Sequence, residues 1–254
     1  MTTAAKVKYI ARLDGIWDVA LRGSADLDYW SSRLAGSGIT PHARDGKADL
    51  MLSAISSRFR GISFCELCIA LSVEHDEPQM NPSGLFLMQA FNSSRLFAWC
   101  ERVFFATPYL HAPLEVPRQG PAGFHLSLGG RPVLNAICSA ESNEHSVSHE
   151  PAATNDASEK LQPIEECWEG PIFLPGRNGQ MSGCSTYFAA VLSGMTVVRP
   201  FSLEADTFTV VDETAHPVLK SLVESRFAPQ EWRTRDSAYH ARSKTFRRHR
   251  GPEQ

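Results

Sequence analysis

Residues 84–116, GLFLMQAFNSSRLFAWCERVFFATPYLHAPLEV, are the most informative part of this chain. They begin with an apolar run, which is typical of a buried strand. Asn92 then starts a polar turn and is a good N-cap for a helix over residues 93–105. Pro108 ends that helix and favours an extended segment after it. The helical spacing predicts a buried stripe made of Leu96, Trp99, Cys100 and Val103.

The composition is that of a globular protein. Of the 254 residues, 43% are hydrophobic and 21% are charged, which is ordinary for a folded domain. The formal net charge of −3 argues against general nucleic-acid affinity. No apolar run reaches about 18 residues, so we expect no membrane contact. The N-terminus lacks the pattern of an export signal, which predicts a cytoplasmic protein with reduced cysteines.

Alternation and turn signals predict eight to ten short strands and two or three helices. Residues 48–73 fit two strands around a turn at residues 60–61, the second with one bulky and one small face. Residues 24–34 fit a short amphipathic helix, and Asp212 begins another that runs to about residue 227. A turn at residues 193–194 would join two further strands. The pattern favours a mainly β (α+β) fold, an antiparallel barrel or sandwich with flanking helices.

We expect the whole chain, residues 1–254, to form a single domain. Residues 139–163 are rich in Ser, Glu and Asn, which predicts a disordered insertion. The end of the chain is strongly basic and has the composition of a solvated tail. Residues 237–248 also fit a last strand, with Arg242 and Lys244 on one face.

Motifs for metals and cofactors are missing from the sequence. Cys65 and Cys68 form a lone CxxC, and a zinc site would need two more ligands. No glycine-rich phosphate loop occurs. We therefore predict no cofactor and no metal. Lysine is scarce, with six residues against nineteen arginines, which limits the candidates for Schiff-base chemistry.

Five polar residues are candidates for chemistry. Glu66 is the one carboxylate inside an apolar strand, so it should either pair with an arginine or border a polar cavity. Arg102 and Arg95 lie seven residues apart on one helix face and would either grip a carboxylate or be solvated. Tyr109 and His111 are two residues apart in an extended segment, so their side chains face the same way. Tyr109 would either donate a hydrogen bond or be an aromatic side chain that lines the barrel. His111 would either move a proton or be an exposed strand residue.

The pattern Arg102…Thr107-Pro108-Tyr109…Ala112 resembles a signature of the acetoacetate decarboxylase-like superfamily, and is closest to its YqjF-like branch. The resemblance implies a cone-like antiparallel β-barrel with flanking helices. It also implies that Glu66, which matches a strand glutamate of the superfamily, reaches into the pocket.

The resemblance departs from the decarboxylases at the residues after the matching proline. There the decarboxylases have two lysines, one of which forms the Schiff base, whereas this chain has Tyr109 and Leu110. The scaffold is therefore expected to lack the Schiff-base lysine. Lys244 is the one lysine that could supply the amine instead, from another strand of the barrel.

These observations favour a small-molecule enzyme of lyase type, a decarboxylase, dehydratase or cyclase of secondary metabolism. Arg102 would anchor a carbonyl or carboxylate metabolite, Tyr109 would stabilise an enolate oxygen, and Glu66 or His111 would move the proton. The alternative is a non-catalytic small-molecule-binding protein on the same scaffold. A third reading is a scaffold whose basic tail docks an acidic partner. The sequence leaves a homo-oligomer open.

Overall fold

The computed structural model describes residues 7–75, 83–139, 162–176 and 186–247. Apart from its two ends, the predicted insertion at residues 139–163 lies outside the described residues, as does the end of the basic tail from residue 248. Among the described helices, none has the length and apolar character that a membrane crossing requires.

Strands dominate the described chain. The first half contains β1 (Tyr9–Asp26), α1 (Leu27–Leu34), β2 (Ile39–Pro41), β3 (Ala43–Arg44), β4 (Lys47–Phe59), β5 (Ile62–His75), β6 (Ser83–Asn92), α2 (Arg95–Phe105), β7 (Tyr109–His111), β8 (Leu114–Glu115), β9 (Ala122–Leu128) and β10 (Arg131–Cys138). The second half contains β11 (Ile164–Leu174), β12 (Thr186–Pro200), β13 (Thr207–Val210), a 3₁₀ turn (Glu213–Ala215), α3 (Pro217–Glu224), β14 (Ala228–Ser243) and β15 (Phe246–Arg247).

The large sheet has the strand order β2-β5-β4-β1-β14-β12-β11-β6-β7, with β3 and β15 added to β4 and β12. Strand β5 also pairs with β6, so seven strands form a closed ring of pairings. Strand β6 runs parallel to β11 and to β7. The expectation of a purely antiparallel sheet is therefore wrong. One reason is that α2 connects β6 to β7 as a crossover, which brings the next strand back in the same direction.

The main apolar core lies between one face of this sheet and a second sheet with the order β13-β10-β9-β8. Leu67 and Ile69 of β5 are fully buried there, together with Phe124 of β9. Helices α1 and α3 close the core with Trp30 and Leu219, which are also fully buried. Burial of this apolar area stabilises the packing of the two sheets.

The opposite face of the large sheet carries polar side chains. Residues alternate along β5, so Glu66 and Cys68 point away from the core that contains Leu67. The small face expected for this strand is therefore the one that does not join the main core. Some side chains on this face interact electrostatically although their strands are not neighbours. Glu66 of β5 and His240 of β14 are one such pair. They consequently share the inside of the ring, which we call the ring interior.

Helix α2 is oriented differently from the prediction. Leu96, Trp99 and Val103 are 51%, 47% and 53% exposed, whereas the small Ala98 is buried. The predicted buried stripe is thus wrong. The reason is that Glu101 of α2 forms an ion pair with Arg242 of β14, which turns the Ala98 side of the helix towards the sheet.

Three other predictions differ from the structure. Strand β12 runs unbroken through residues 193–194, where Gly194 accommodates the close approach of Ala238 on β14. The helix expected from Asp212 is a 3₁₀ turn followed by α3, since His216 caps a new helix with Pro217 in its first turn. The basic segment is not a solvated tail but largely β14, a central strand of the large sheet, so the alternative prediction of a strand over residues 237–248 holds as far as Ser243.

Candidate functional site

Strand β14 supplies the basic side chains of the ring interior. Arg235 and His240 are five residues apart and would face opposite sides of a regular strand. Both nevertheless approach the same oxygen, Oδ2 of Asp18, at 2.7 Å and 3.7 Å. The irregularity that allows this contains Ser237, whose φ of 62° lies in the left-handed region. The bulge thus aims Arg235, His240 and Arg242 at one space.

Glu66 of β5 interacts electrostatically with His240 of this group. Its Oε2 accepts a hydrogen bond of 3.1 Å from Asn92 Nδ2, and Cys68 Sγ lies 3.6 Å from Oε1. Burial and then the nearby Glu101 raise the pKa of Glu66, against the lowering effect of Tyr109, Asn92 and His240. Within the described residues Glu66 forms no ion pair. A strand carboxyl held in this way is biased towards its protonated form.

The Glu66 residue is deeply placed but not fully covered. Burial is the main cause of its raised pKa, yet part of its surface remains accessible. The same combination holds for Cys68, whose pKa burial raises well above the ordinary value. Both side chains therefore lie deep in the protein and still keep some accessible surface.

Tyr109 is positioned by the turn that follows α2. Thr107 Oγ1 donates to the Glu101 carbonyl at 2.7 Å, and Ala106 adopts a left-handed conformation with φ of 54°. Tyr109 then pairs with Ala90 of β6. Burial and then the charge of Glu66 raise the pKa of Tyr109 well above its ordinary value, so the phenol remains a hydrogen-bond donor.

Arg242 of β14 is held in place by an acidic side chain of α2 and by two aromatic rings. Its Nη1 is paired with Glu101 Oε2, and its guanidinium carbon lies 4.7 Å from the Phe105 ring centre and 4.1 Å from that of Phe188. Its Nη2 is buried and has no hydrogen-bond partner among the described residues. The charge of Arg242 lowers the pKa of Tyr109, but the raising effects of burial and Glu66 are larger.

A network of charged groups forms one wall. Arg235 donates to Asp18 Oδ2 at 2.7 Å and to Glu166 Oε2 at 2.9 Å. Burial opposes ionisation of Asp18, but His240 and Arg235 outweigh it and hold the pKa of Asp18 below its ordinary value. The Nε2 atom of His240 is buried and lacks a hydrogen-bond partner within the described chain. That atom lies 3.7 Å from Asp18 Oδ2, so His240 belongs to the same charged network as Arg235.

The structure brings together only some of the residues singled out from the sequence. Glu66 and Tyr109 share the ring interior, but Arg95, Arg102 and His111 are exposed. Arg102 lies on the outward side of α2, which does not fit its expected role as a substrate anchor or as the partner of Glu66. His111 is in phase with Tyr109, but it ends the short strand β7.

None of the four lysines that the structure describes reaches the ring interior. Lys8, Lys47, Lys220 and Lys244 are all exposed, and Lys6 and Lys160 lie outside the described residues. In the part of the chain that the structure covers, no group of three or more His, Cys, Asp or Glu side chains could hold a metal ion. Two surface clefts of about 480 Å³ and 330 Å³ adjoin α1, and neither is lined by Glu66, Tyr109 or Arg242.

Sequence reasoning missed Asp18, Glu166, Arg235 and His240, and it did not place Arg242 in the site. The available signal was the spacing of polar residues along β14, since His240 and Arg242 are two apart as strand neighbours on one face should be. The basic composition of this segment instead suggested a solvated tail. The bulge at Ser237 carries no recognisable sequence mark.

Comparisons with known proteins identify the fold. No protein-family model matches the chain, and no curated protein matches its sequence. The acetoacetate decarboxylase of Legionella pneumophila is similar in structure, with a TM-score of 0.55 and 11% identity over 97% of this chain and 92% of that one. The enduracididine biosynthesis enzyme MppR complexed with pyruvate has a TM-score of 0.54 and 14% identity over 95% and 91%.

A third structure, an acetoacetate decarboxylase-like enzyme from Sphingomonas wittichii, has a TM-score of 0.51 and 10% identity over 96% of this chain and 95% of that one. At such low identity these similarities concern the fold alone. The chain has an acetoacetate decarboxylase-like fold.

Proposed function

We propose that the ring interior is the active site of a small-molecule enzyme of lyase type, and that the ring is the β-barrel of the acetoacetate decarboxylase-like scaffold. The enzyme acts on a metabolite with a carbonyl and a carboxylate, and it forms no Schiff base. One observation carries the proposal: Glu66, a carboxyl without an ion pair among the described residues and with a raised pKa, interacts with the Tyr109 phenol and with His240, two residues before Arg242 and its unpartnered guanidinium nitrogen. Perturbed titratable groups of this kind are typical of catalytic sites.

Each of three side chains has a separate role. Arg242 binds the substrate carboxylate through its free Nη2, since Glu101 and two aromatic rings fix its position. Tyr109 donates a hydrogen bond to the oxygen on which negative charge develops. Glu66 transfers a proton to or from the carbon next to the carbonyl.

The chemistry balances for a β-keto acid. The bond between the α-carbon and the carboxylate breaks, carbon dioxide leaves, and the electron pair of that bond forms an enolate. The enolate oxygen accepts the hydrogen bond of Tyr109, and protonated Glu66 then gives its proton to the α-carbon. For a dehydratase or cyclase, the same enolate arises when Glu66 removes the α-proton instead. These activities share the enolate, so the three side chains suit each of them.

A non-catalytic binding protein is the second candidate. It is favoured by the exposure of every lysine that the structure describes, since the decarboxylases that the sequence resembles use a lysine for catalysis. Such a protein would hold the same ligands at Arg242 without exchanging their protons.

Proton exchange at carbon distinguishes the two candidates. Pyruvate and acetoacetate are incubated with the protein in heavy water, and loss of their C–H signals is followed by proton NMR. We expect enzyme-dependent exchange or decarboxylation, reduced about 10²–10⁴-fold in Glu66→Gln, as expected for loss of a general acid–base group. The matched control is Glu165→Gln, which changes an exposed glutamate of β11. Bound ligand that stays unexchanged, or exchange that is unchanged in Glu66→Gln, would contradict an enzyme of this mechanism.

A further inference from the structure

We propose that the outer side of helix α2 is a docking surface for an acidic amphipathic helix of a partner protein. The surface combines exposed apolar side chains with the cations around them, and we call it the α2 face. Its apolar members are Leu96, Trp99, Val103 and Phe104. These side chains lie outside the ring interior, so the docking role does not depend on the proposed chemistry.

The apolar side chains of the α2 face form one narrow strip. Leu96, Trp99 and Val103 follow one another at intervals of three and four residues, which places them on one side of the helix. The rings of Trp99 and Phe104 meet edge to face, with their centres 5.3 Å apart. Of the twelve large apolar side chains that are exposed in the described chain, these are four. An exposed apolar strip with a polar rim is typical of a protein interaction site.

The strip cannot turn inward, because the other side of α2 is fastened to the large sheet. Glu101 is paired with Arg242 of β14. Thr245 Oγ1 donates a hydrogen bond of 2.8 Å to the Phe105 carbonyl in the last turn. Ala98, on this inner side, is buried. Within the described residues, no other segment covers the strip, so a partner is needed to bury it.

Two cations of the α2 face belong to the helix itself. Arg95 and Arg102 are exposed and lie at one edge of the strip. The one acidic residue of α2 is Glu101, and its charge is already neutralised by Arg242. The helix therefore presents positive charge beside its apolar side chains.

Further cations lie at the two ends of the helix. Arg60 is near the first turn, since its guanidinium stacks on Phe59 and that ring contacts Phe97 of α2. Lys244 is near the last turn, since it precedes Thr245, which bonds to that turn. Both are exposed. Neither these two nor the arginines of α2 form an ion pair within the described chain.

This charge pattern selects an acidic partner. The whole chain has a formal net charge of −3, so the cations around α2 are a local excess. A second copy of the chain would bring the same cations against one another, and like charges across an interface repel. The strip from Leu96 to Val103 is about 10 Å long and narrow, which suits the contact between two packed helices. We therefore expect a partner helix with its own apolar strip between Asp and Glu side chains.

Fluorescence anisotropy of a labelled synthetic peptide tests the docking on the full chain. The peptide has Leu at the core positions of a heptad repeat and Glu at the exposed positions, and a matched peptide has Lys in place of Glu. We expect saturable binding of the acidic peptide alone, and this binding should weaken as the salt concentration rises.

Variants locate the binding. Val103→Ser and Arg102→Glu should each weaken it about tenfold and keep the wild-type Tm, because both side chains are exposed. The matched controls Val223→Ser and Arg131→Glu change exposed residues of α3 and β10 and should bind like the wild type.

Several results would overturn the proposal. They are the absence of binding, equal binding of the two peptides, and binding that is unchanged in Val103→Ser. Dimers that form in analytical ultracentrifugation and are lost in Val103→Ser would assign the α2 face to a second copy instead. Preferential binding to phosphatidylglycerol vesicles, lost in the same variant, would assign it to a membrane surface.

Discussion

Glu66→Gln is expected to make the folded protein more stable at about pH 8 while it removes activity. Burial raises the pKa of Glu66 in the folded state, so the folded protein binds more protons than the unfolded chain. Its stability therefore falls as the pH rises from the unfolded pKa of about 4.3 towards the folded pKa. Gln has nearly the same shape and no titration, and it should avoid this loss.

The magnitude follows from the contacts of Glu66. A buried ion without a counter-ion costs several kcal/mol, and the Asn92 hydrogen bond to the charged group offsets about 2 kcal/mol of this. A net gain of about 2 kcal/mol is therefore expected for Gln. In a protein of this size, that gain corresponds to an increase in Tm of about 4–8 °C.

The assay is thermal and urea unfolding of the wild type, Glu66→Gln and the control Glu165→Gln from about pH 4 to about pH 8, a range that brackets the unfolded pKa of glutamate. The increase in stability of Glu66→Gln should appear at the upper end of the pH range, shrink as the pH falls and be absent in Glu165→Gln. A Glu66→Gln variant with unchanged Tm at the upper end would refute the argument. So would a gain that stays constant across the pH range, because it would then have no connection with ionisation.

Three further outcomes are expected. Asp18→Asn removes the carboxylate that pairs with Arg235, and urea unfolding should show that the free energy of unfolding falls by about 3–5 kcal/mol. A decrease of under about 1 kcal/mol, which is typical of exposed ion pairs, would contradict a buried pair. Trp99→Ala should cost under about 1 kcal/mol in stability, because the side chain is half exposed. The comparison variant Phe91→Ala changes a fully buried side chain and should cost about 3–5 kcal/mol. Equal losses would show that α2 packs as the sequence suggested. Borohydride added with acetoacetate should leave the protein mass unchanged, and a reduced adduct on a lysine would contradict a mechanism without a Schiff base.

The sequence predicted several local elements well, because their signals are local. The hairpin of β4 and β5 around Gly61 followed from alternation and a turn glycine. Helix α1 followed from its acidic start and helical spacing. The sequence also identified Glu66 as an unusual carboxylate in an apolar strand, since that anomaly needs no knowledge of the partners.

The remaining features depend on contacts between distant segments. Strand β14 pairs with β1 and β12 across long stretches of chain, so its arginines read as a solvated tail until those neighbours are known. Helix α2 has an apolar stripe, but the ion pair between Glu101 and Arg242 determines which side faces the sheet. Periodicity alone does not carry this information. For this reason the sequence led us to predict the substrate anchor at Arg102, whereas we now propose Arg242.

A crystal structure with bound acetate or pyruvate is the decisive measurement for the proposed site. We expect the carboxylate within hydrogen-bonding distance of Arg242 Nη2, and the adjacent carbon next to Glu66 and Tyr109. A ligand bound only at the α1 clefts, or an interior too tightly filled to admit either molecule, would contradict it.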